Sequence, residues 1–229
     1  MLHRAPGKRE ARFALRDEAW RPQEQVRFGA PPVKLARASR APHAKLRYLP
    51  HSMPKRIALI STGGTIEKTY DELTGVLANR FSVLDVMLAP GGMLVLEGVE
   101  LTRIRLMNKD SLDMTQADHE LIAETVREQA ASHEGVVIVH GTDRLARTGD
   151  VIHERLGASL RVPIVLTGAM RPYVMRTTDA VQNLTEALLA VQLLTPGVYV
   201  AMHNKVLRFP GVVKDPEAGT FRMAGGASS

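Results

Sequence analysis

The sequence predicts an α/β protein with a doubly wound, mainly parallel sheet flanked by helices, a Rossmann-like arrangement. Short apolar runs alternate with helical patterns from Arg56 onward, which indicates a sheet with helices on both faces. Several of the runs end in Thr, Ser or Asp beside a glycine or a sharp turn. Because ligands bind beyond the carboxyl ends of the strands in such a sheet, we expect a polar site at that edge.

The predicted strands are five short apolar runs, four of them rich in Val, Ile or Leu. These four show no clean alternation of polar and apolar residues, which is typical of strands covered on both faces. The repeated order of strand, helix and strand predicts right-handed crossovers between parallel strands. The runs cover residues 56–61, 101–107, 136–140, 163–166 and 198–202.

Four helices are predicted around these strands. The clearest one begins at Thr115, because Asp118 three positions later resembles the second half of a capping box, and apolar residues up to Ala130 share one face. Gly135 is expected to close this helix. The last helix should stop at the Thr-Pro-Gly sequence of residues 195–197. The other predicted helices cover residues 82–88, 144–156 and 179–194.

The first strand leads into the glycine-rich sequence LISTGGTIEK, which suggests either a phosphate site or a nucleophile. Gly63 and Gly64 would let backbone N–H groups approach a phosphate. The sequence contains neither the P-loop pattern GxxxxGK[ST] nor the dinucleotide pattern GxGxxG at this point. The residues after Thr65 favour a mobile hairpin or lid over a helix. A pair of glycines alone is therefore insufficient evidence for phosphate binding.

Charge divides the chain at about residue 52. The 229 residues carry a formal net charge of +6. Residues 1–52 contain 12 Lys or Arg and 4 Asp or Glu, which leaves residues 53–229 with a formal charge of −2. We expect residues 1–52 to be a disordered basic extension, because they lack sustained apolar periodicity. Two interpretations of it stay open: sequence translated upstream of a natural start at Met53, or an arm that binds nucleic acid.

The composition also excludes several classes of function. The chain has no cysteine, so a disulfide framework, cysteine catalysis and thiolate metal sites are excluded. No apolar stretch approaches the ~20 residues that a membrane-spanning helix needs. We therefore expect a cytoplasmic protein that has no membrane partner.

A threonine hydroxyl needs an activating partner before it can act as a nucleophile near neutral pH. The sequence HGTD supplies Thr142 and Asp143, and GVVKDP supplies Lys214. A lysine held by a carboxylate beside a threonine hydroxyl can take its proton. Each residue also has a structural interpretation, since Thr142 and Asp143 can cap a helix and Lys214 can be a solvated surface charge. The neighbouring His140 is expected to be a structural residue.

The motifs TGGTI, DSLDM, HGTD, GAMRP and a late lysine occur in the order and approximate spacing of the L-asparaginase family of threonine amidohydrolases, which this sequence resembles. The resemblance covers about residues 55–222. It implies a catalytic domain at residues 53–229 that hydrolyses L-asparagine to L-aspartate and ammonia without a metal or cofactor. It also implies association into a homo-oligomer, whereas nucleic acid is not expected as a partner. Asparagine and glutamine stay unranked, because one methylene changes binding by only ~1 to 3 kcal/mol.

The same resemblance implies a role for each candidate site residue. Thr65 would be the nucleophile, and Tyr70 on the following loop would assist it. Thr142, Asp143 and Lys214 would form a second catalytic group that handles the proton of the attacking water. The residues implied to bind the substrate are Gly64, Ser111, Thr142, Asp143 and Ala169.

The sequence departs from the family pattern at several positions. The chain ends soon after Lys214, where common members continue into a second domain, so that domain is expected to be absent. Arg144 and Arg147 stand where acids are usual, Leu112 where glutamine is common, and Pro210 where an arginine commonly precedes the lysine. Two alternatives stay open: a non-catalytic ligand-binding relative, which these departures motivate, and a tRNA-dependent amidotransferase asparaginase subunit, which the basic extension motivates.

Overall fold

The computed structural model describes residues 53–80, 82–89 and 92–225. The predictions for residues 1–52, a disordered extension with either of its interpretations, lie outside the described residues. Within the described ranges, no helix is both long enough and apolar enough to cross a membrane.

In these ranges the chain forms ten strands, four α-helices and two 3-10 turns. The strands are β1 (Lys55–Gly63), β2 (Thr69–Asp71), β3 (Val76–Ala78), β4 (Val99–Lys109), β5 (Gly135–Val139), β6 (Pro163–Thr167), β7 (Gly197–Met202), β8 (Lys205–Arg208), β9 (Val212–Asp215) and β10 (Thr220–Met223). The helices are α1 (Leu84–Met87), α2 (Gln116–Ala130), α3 (Leu145–Leu156) and α4 (Ala180–Leu193), and the 3-10 turns are Thr65–Glu67 and Ser111–Asp113.

Six strands form the central sheet in the order β4, β1, β5, β6, β7, β8. The first five are parallel to their neighbours, and β8 pairs antiparallel with β7. The predicted doubly wound, mainly parallel sheet is therefore confirmed. The chain leaves β1 through α1 on one face and leaves β5 through α3 on the other. This reversal opens a crevice between the carboxyl ends of β1 and β5.

Two apolar cores cover the two faces of the sheet, because successive strand residues point to opposite sides. Ala58 and Ile60 of β1 pack with residues of α2 and α3 on one face. Ile57 and Leu59 pack with residues of α1 and α4 on the other. All four side chains are fully buried, as expected for a central parallel strand. The two cores hold the carboxyl ends of β1 and β5 in fixed positions.

All five predicted strands are present, and their observed ends differ from the predicted ends by no more than two residues. The capping box of α2 is confirmed: the Thr115 hydroxyl accepts from the Asp118 backbone N–H, and the Asp118 carboxylate accepts from the Thr115 backbone N–H. The prediction for Gly135 is wrong, since α2 ends at Ala130 and Gly135 begins β5. A Cβ atom at Gly135 would lie 2.6 Å from Val191 Cγ2, so this glycine serves close packing and not helix termination.

Two hairpins lie outside the central sheet. The segment after Thr65 forms a short 3-10 turn and then the antiparallel hairpin β2–β3, which confirms the predicted hairpin. Its mobility stays a prediction. The second hairpin, β9–β10, was not predicted, and it places Lys214 opposite Phe221. Phe221 is buried in the core beside α3, so the hairpin is anchored to the body of the protein.

Candidate active site

The glycine-rich loop after β1 packs directly against the loop after β5. Gly64 has a φ of +82°, and a Cβ atom there would lie 2.4 Å from Gly141 Cα. Only glycine fits this backbone position. The Gly64 N–H donates to the Lys109 carbonyl at 2.9 Å, which also ties the loop to the end of β4. Thr65 and Thr142 therefore follow two glycines that touch each other.

The turn that holds Ser111 completes the same contact. Ser111 is fully buried, and its Oγ has no hydrogen-bond partner among the described residues. A Cβ atom at Gly141 would lie 2.5 Å from that Oγ, so the serine hydroxyl points at the loop after β5. A buried hydroxyl without a partner costs free energy unless something binds to it. Ser111 Oγ therefore lies buried at the meeting point of three loops, and no described residue uses its hydrogen-bonding capacity.

Lys214 reaches this edge of the sheet from the β9–β10 hairpin. Its Nζ donates to Thr142 Oγ1 at 2.9 Å and to Asp143 Oδ1 at 2.7 Å. The Thr142 side chain is almost fully buried, whereas Asp143 is exposed. The structure therefore brings Thr142, Asp143 and Lys214 together, as the resemblance implies. A lysine, a carboxylate and a buried hydroxyl in contact form a group that can move a proton.

Tyr70 is the candidate that the structure does not bring to this cluster. It lies in β2, is 60% exposed, and forms no hydrogen bond with Thr65. Its hydroxyl points along the hairpin, 3.9 Å from the position that a Cβ of Gly75 would occupy. A role of this hydroxyl beside Thr65 stays a prediction.

The loop that contains Ala169 is held by a buried aspartate that the sequence analysis missed. Asp179 accepts from the backbone N–H groups of Met170 and Arg171, both at 2.9 Å, and from His203 Nε2 at 2.8 Å. Burial opposes ionisation of Asp179, but these hydrogen bonds lower its pKa below the ordinary value. Ala169 is itself fully buried. The position of Asp179 at a predicted helix start was the only sequence signal for this role.

His140 is a structural residue, as predicted, and it supports the loop of Thr142. Its ring is fully buried, and burial lowers its pKa from 6.5 to about 4, so the imidazole is neutral. Its Nδ1 lies 2.8 Å from the Gly141 carbonyl, which only accepts, so Nδ1 bears the proton. Its Nε2 then accepts from the Thr148 hydroxyl at 2.8 Å, and that oxygen accepts from His119 Nδ1 at 2.7 Å.

A cavity of about 570 Å³ is lined by Ser61 of β1, by Glu67 and by residues of β4, and the threonine and lysine cluster does not line it. Glu67, two residues after Thr65, is buried in its wall and accepts from the Ser82 hydroxyl. Burial raises the pKa of Glu67, and the bond from Ser82 offsets only part of that effect.

Across residues 53–80, 82–89 and 92–225, no group of three or more His, Asp or Glu side chains is arranged to hold a metal ion.

A family model described as the N-terminal part of asparaginase matches residues 56–217. The chain belongs to the asparaginase family. It is 30% identical to a glutamyl-tRNA(Gln) amidotransferase subunit of Methanococcus maripaludis over 80% of this chain and 40% of that protein. It is 32% identical to an L-asparaginase of Thermococcus kodakarensis over 66% of this chain and 45% of that protein.

The fold comparison agrees with this assignment. The solved structure of the thermostable L-asparaginase from Thermococcus kodakarensis matches with a TM-score of 0.63 and 29% identity, covering 73% of this chain and 51% of that one. The chain thus spans about two fifths to one half of the length of these relatives. These relatives are named as an amidotransferase subunit in one case and as an L-asparaginase in the other. Family membership alone therefore does not distinguish between the two activities.

Three of the departures from the asparaginase-family pattern, at Arg144, Arg147 and Leu112, are exposed residues close to candidate site residues in the chain. Arg144 occupies the N-cap of α3 and is exposed, with no side-chain cap. Arg147, one turn later, donates to Gln116 Oε1 at 3.0 Å. Leu112 is 58% exposed beside the buried Ser111. The two cations therefore face solvent near the turn of Ser111, where they add positive charge without entering the core.

Proposed function

We propose that this asparaginase-family protein is a cytoplasmic amidohydrolase that converts L-asparagine to L-aspartate and ammonia through a threonine nucleophile. The observation that carries the proposal is the contact of Lys214 Nζ with Thr142 and Asp143, beside the loop that presents Thr65. The geometry fits a reaction in which one threonine is acylated and a second group manages protons. Self-association stays a prediction from the family resemblance, and the cytoplasmic location stays a prediction from the composition.

In the first step, the Thr65 oxygen attacks the side-chain amide carbon of the substrate. The C–N bond then breaks, the threonine proton passes to the leaving nitrogen, and ammonia departs. Backbone N–H groups next to Gly64 and Thr142 would stabilise the negative oxygen of the intermediate, because donors fixed in place need no reorganisation. Tyr70 would assist after the β2–β3 hairpin closes over the site.

In the second step, water attacks the ester between Thr65 and the aspartyl group. When Lys214 is neutral, its lone pair can accept the Thr142 proton, and when it is charged it donates to the same oxygen. The pair can therefore take a proton from the attacking water and return it to Thr65 as the ester breaks. Asp143 would hold Lys214 in place throughout. The products are L-aspartate and free Thr65.

Substrate binding would use the buried hydroxyl and the exposed carboxylate. Ser111 Oγ, which has no partner among the described residues, would donate to the substrate α-carboxylate. Asp143 would receive the substrate ammonium, while Gly64 and Ala169 would shape the wall of the site. The exposed guanidinium of Arg144 would attract negatively charged substrates to the site.

Ammonia release from L-asparagine and from L-glutamine tests the proposed activity. We expect turnover of at least one amide by the purified full-length protein. A folded preparation that is stabilised by L-aspartate but releases no ammonia would instead indicate a non-catalytic binding protein, because binding to the native state raises its stability. If the protein neither releases ammonia nor is stabilised by L-aspartate, the proposal is contradicted.

A second candidate is a tRNA-dependent amidotransferase subunit, because the Methanococcus maripaludis relative bears an amidotransferase name at 30% identity. In that case ammonia would serve a partner enzyme, and the basic residues 1–52 would contribute to tRNA binding. Binding of glutamyl-tRNA by the full chain, weakening as salt increases and stronger than binding of an unrelated tRNA, would favour this candidate. Equal affinity for both RNAs would count against it.

A further inference from the structure

One ion pair joins the two turns that the proposed function assigns to the nucleophile and to the substrate carboxylate. Lys68 Nζ lies 2.5 Å from Asp110 Oδ2. The two side chains are 25% and 30% exposed, so solvent screens the pair only in part. Lys68 lies outside the motifs that named the candidate site, and Asp110, the first residue of DSLDM, was given no role there.

Each partner is built into its own turn. Lys68 follows the 3-10 turn Thr65–Glu67, and its N–H donates to the Thr65 carbonyl at 3.1 Å. Asp110 is the N-cap of the 3-10 turn Ser111–Asp113, and its Oδ1 accepts from the Leu112 N–H at 3.1 Å. The second oxygen of the same carboxylate, Oδ2, accepts from Lys68 Nζ. The ion pair therefore links the two turns directly.

Among the described residues, no other ion pair joins these two turns. Lys109 is the adjacent cation, but its Nζ lies 2.6 Å from Asp118 at the start of α2. The backbone bond from Gly64 to the Lys109 carbonyl fixes the ends of β1 and β4, but not the turns that follow them. The hydrogen bond from Lys68 also lowers the pKa of Asp110 below its ordinary value, which keeps the carboxylate charged at neutral pH.

We infer that Lys68 and Asp110 are positioning residues, which set the distance and angle between the Thr65 hydroxyl and the Ser111 hydroxyl. This inference rests on the proposed function. A reacting group displaced by about 1 Å can lose on the order of 100-fold in rate, so a link between these turns acts on catalysis more than on stability. An ion pair this exposed contributes little to folding stability.

Steady-state kinetics of Lys68→Met, Asp110→Asn and Lys68→Arg test the inference. Asp110→Asn keeps an oxygen for the Leu112 N–H but removes the charge. We expect kcat/KM for L-asparagine to fall about 10- to 100-fold in Lys68→Met and Asp110→Asn, with a higher KM and an unchanged melting temperature. The double variant should be no worse than either single one, because both remove the same link. Lys68→Arg should restore most of the activity.

Arg155→Met is the matched control, since Arg155 pairs with Glu120 at 2.9 Å between α3 and α2 and contacts neither turn. Wild-type kinetics in both single variants would overturn the inference while leaving the proposed function intact. Loss of activity without rescue by arginine, together with a melting temperature far below that of Arg155→Met, would show a structural role and also overturn it. If the wild type neither releases ammonia nor is stabilised by L-aspartate, the proposed function fails and the inference fails with it.

Discussion

Lys214 donates a 2.9 Å hydrogen bond to Thr142 although 72 residues separate the two positions. Thr142 is fixed at the end of the buried strand β5, whereas Lys214 arrives on a separate hairpin. The buried anchor of that hairpin, Phe221, faces the core beside α3. The core packing of Phe221 thus anchors the hairpin that brings Lys214 to Thr142.

Replacement of Lys214 by methionine should stop turnover without unfolding the protein. Methionine preserves most of the aliphatic stem but removes the group that contacts Thr142 and Asp143. We expect kcat to fall by about 10² to 10⁴, the range found when a general base is lost. The control is Lys205→Met on the exposed strand β8. Equal activity of the two variants would contradict the role of Lys214.

Gly141→Ala should damage the site through Ser111. The added methyl group would lie 2.5 Å from Ser111 Oγ and 2.6 Å from its Cβ, so the serine must move. We expect a loss of about 1 to 3 kcal/mol of stability and loss of the thermal stabilisation by L-aspartate.

Gly149→Ala provides the comparison for that experiment. Its methyl group would lie 2.1 Å from the Phe209 ring in the core, so it should destabilise the protein by overpacking while leaving Ser111 in place. The folded fraction of Gly149→Ala should keep its response to L-aspartate. If both variants lose the response equally, the effect is general and Ser111 has no special role.

Stability should decrease as the pH falls from about 6.5 to about 4. The pKa of His140 is about 4 in the folded protein, whereas the ordinary value is 6.5. Between these two pH values the unfolded chain binds a proton at this ring and the folded protein does not. Stability from this group is therefore complete above pH 6.5 and is lost progressively below it. Urea unfolding of wild type and His140→Asn across this range measures the effect. The variant should be less stable at pH 7 but should depend less on pH, and parallel curves would contradict the prediction.

Tyr70→Phe should separate catalysis from folding. The side chain is 60% exposed and its hydroxyl forms no hydrogen bond with Thr65, so its loss should leave the melting temperature unchanged. If the hairpin closes during turnover and the hydroxyl assists Thr65, kcat should fall by about 10-fold or more. An unchanged kcat would remove Tyr70 from the mechanism.

The parallel strands could be predicted because a strand covered on both faces is apolar at nearly every position, as in Ile57 to Ile60. Strand β8 could not, since it is a four-residue edge strand with Lys205 and Arg208 at its ends. The motifs named Thr142 and Lys214 as candidates, but no local pattern encodes a contact across 72 residues. The ion pair between Lys68 and Asp110 could not be predicted either, because the sequence contains many basic and acidic residues and does not show which of them form contacts.

Ammonia release from L-asparagine by the wild type and by Thr65→Ala tests the central claim most directly. Thr185→Ala on the exposed side of α4 controls for the loss of a threonine elsewhere. We expect turnover in the wild type and in Thr185→Ala, and none above background in a folded Thr65→Ala protein. Turnover that persists without the Thr65 hydroxyl would contradict the account.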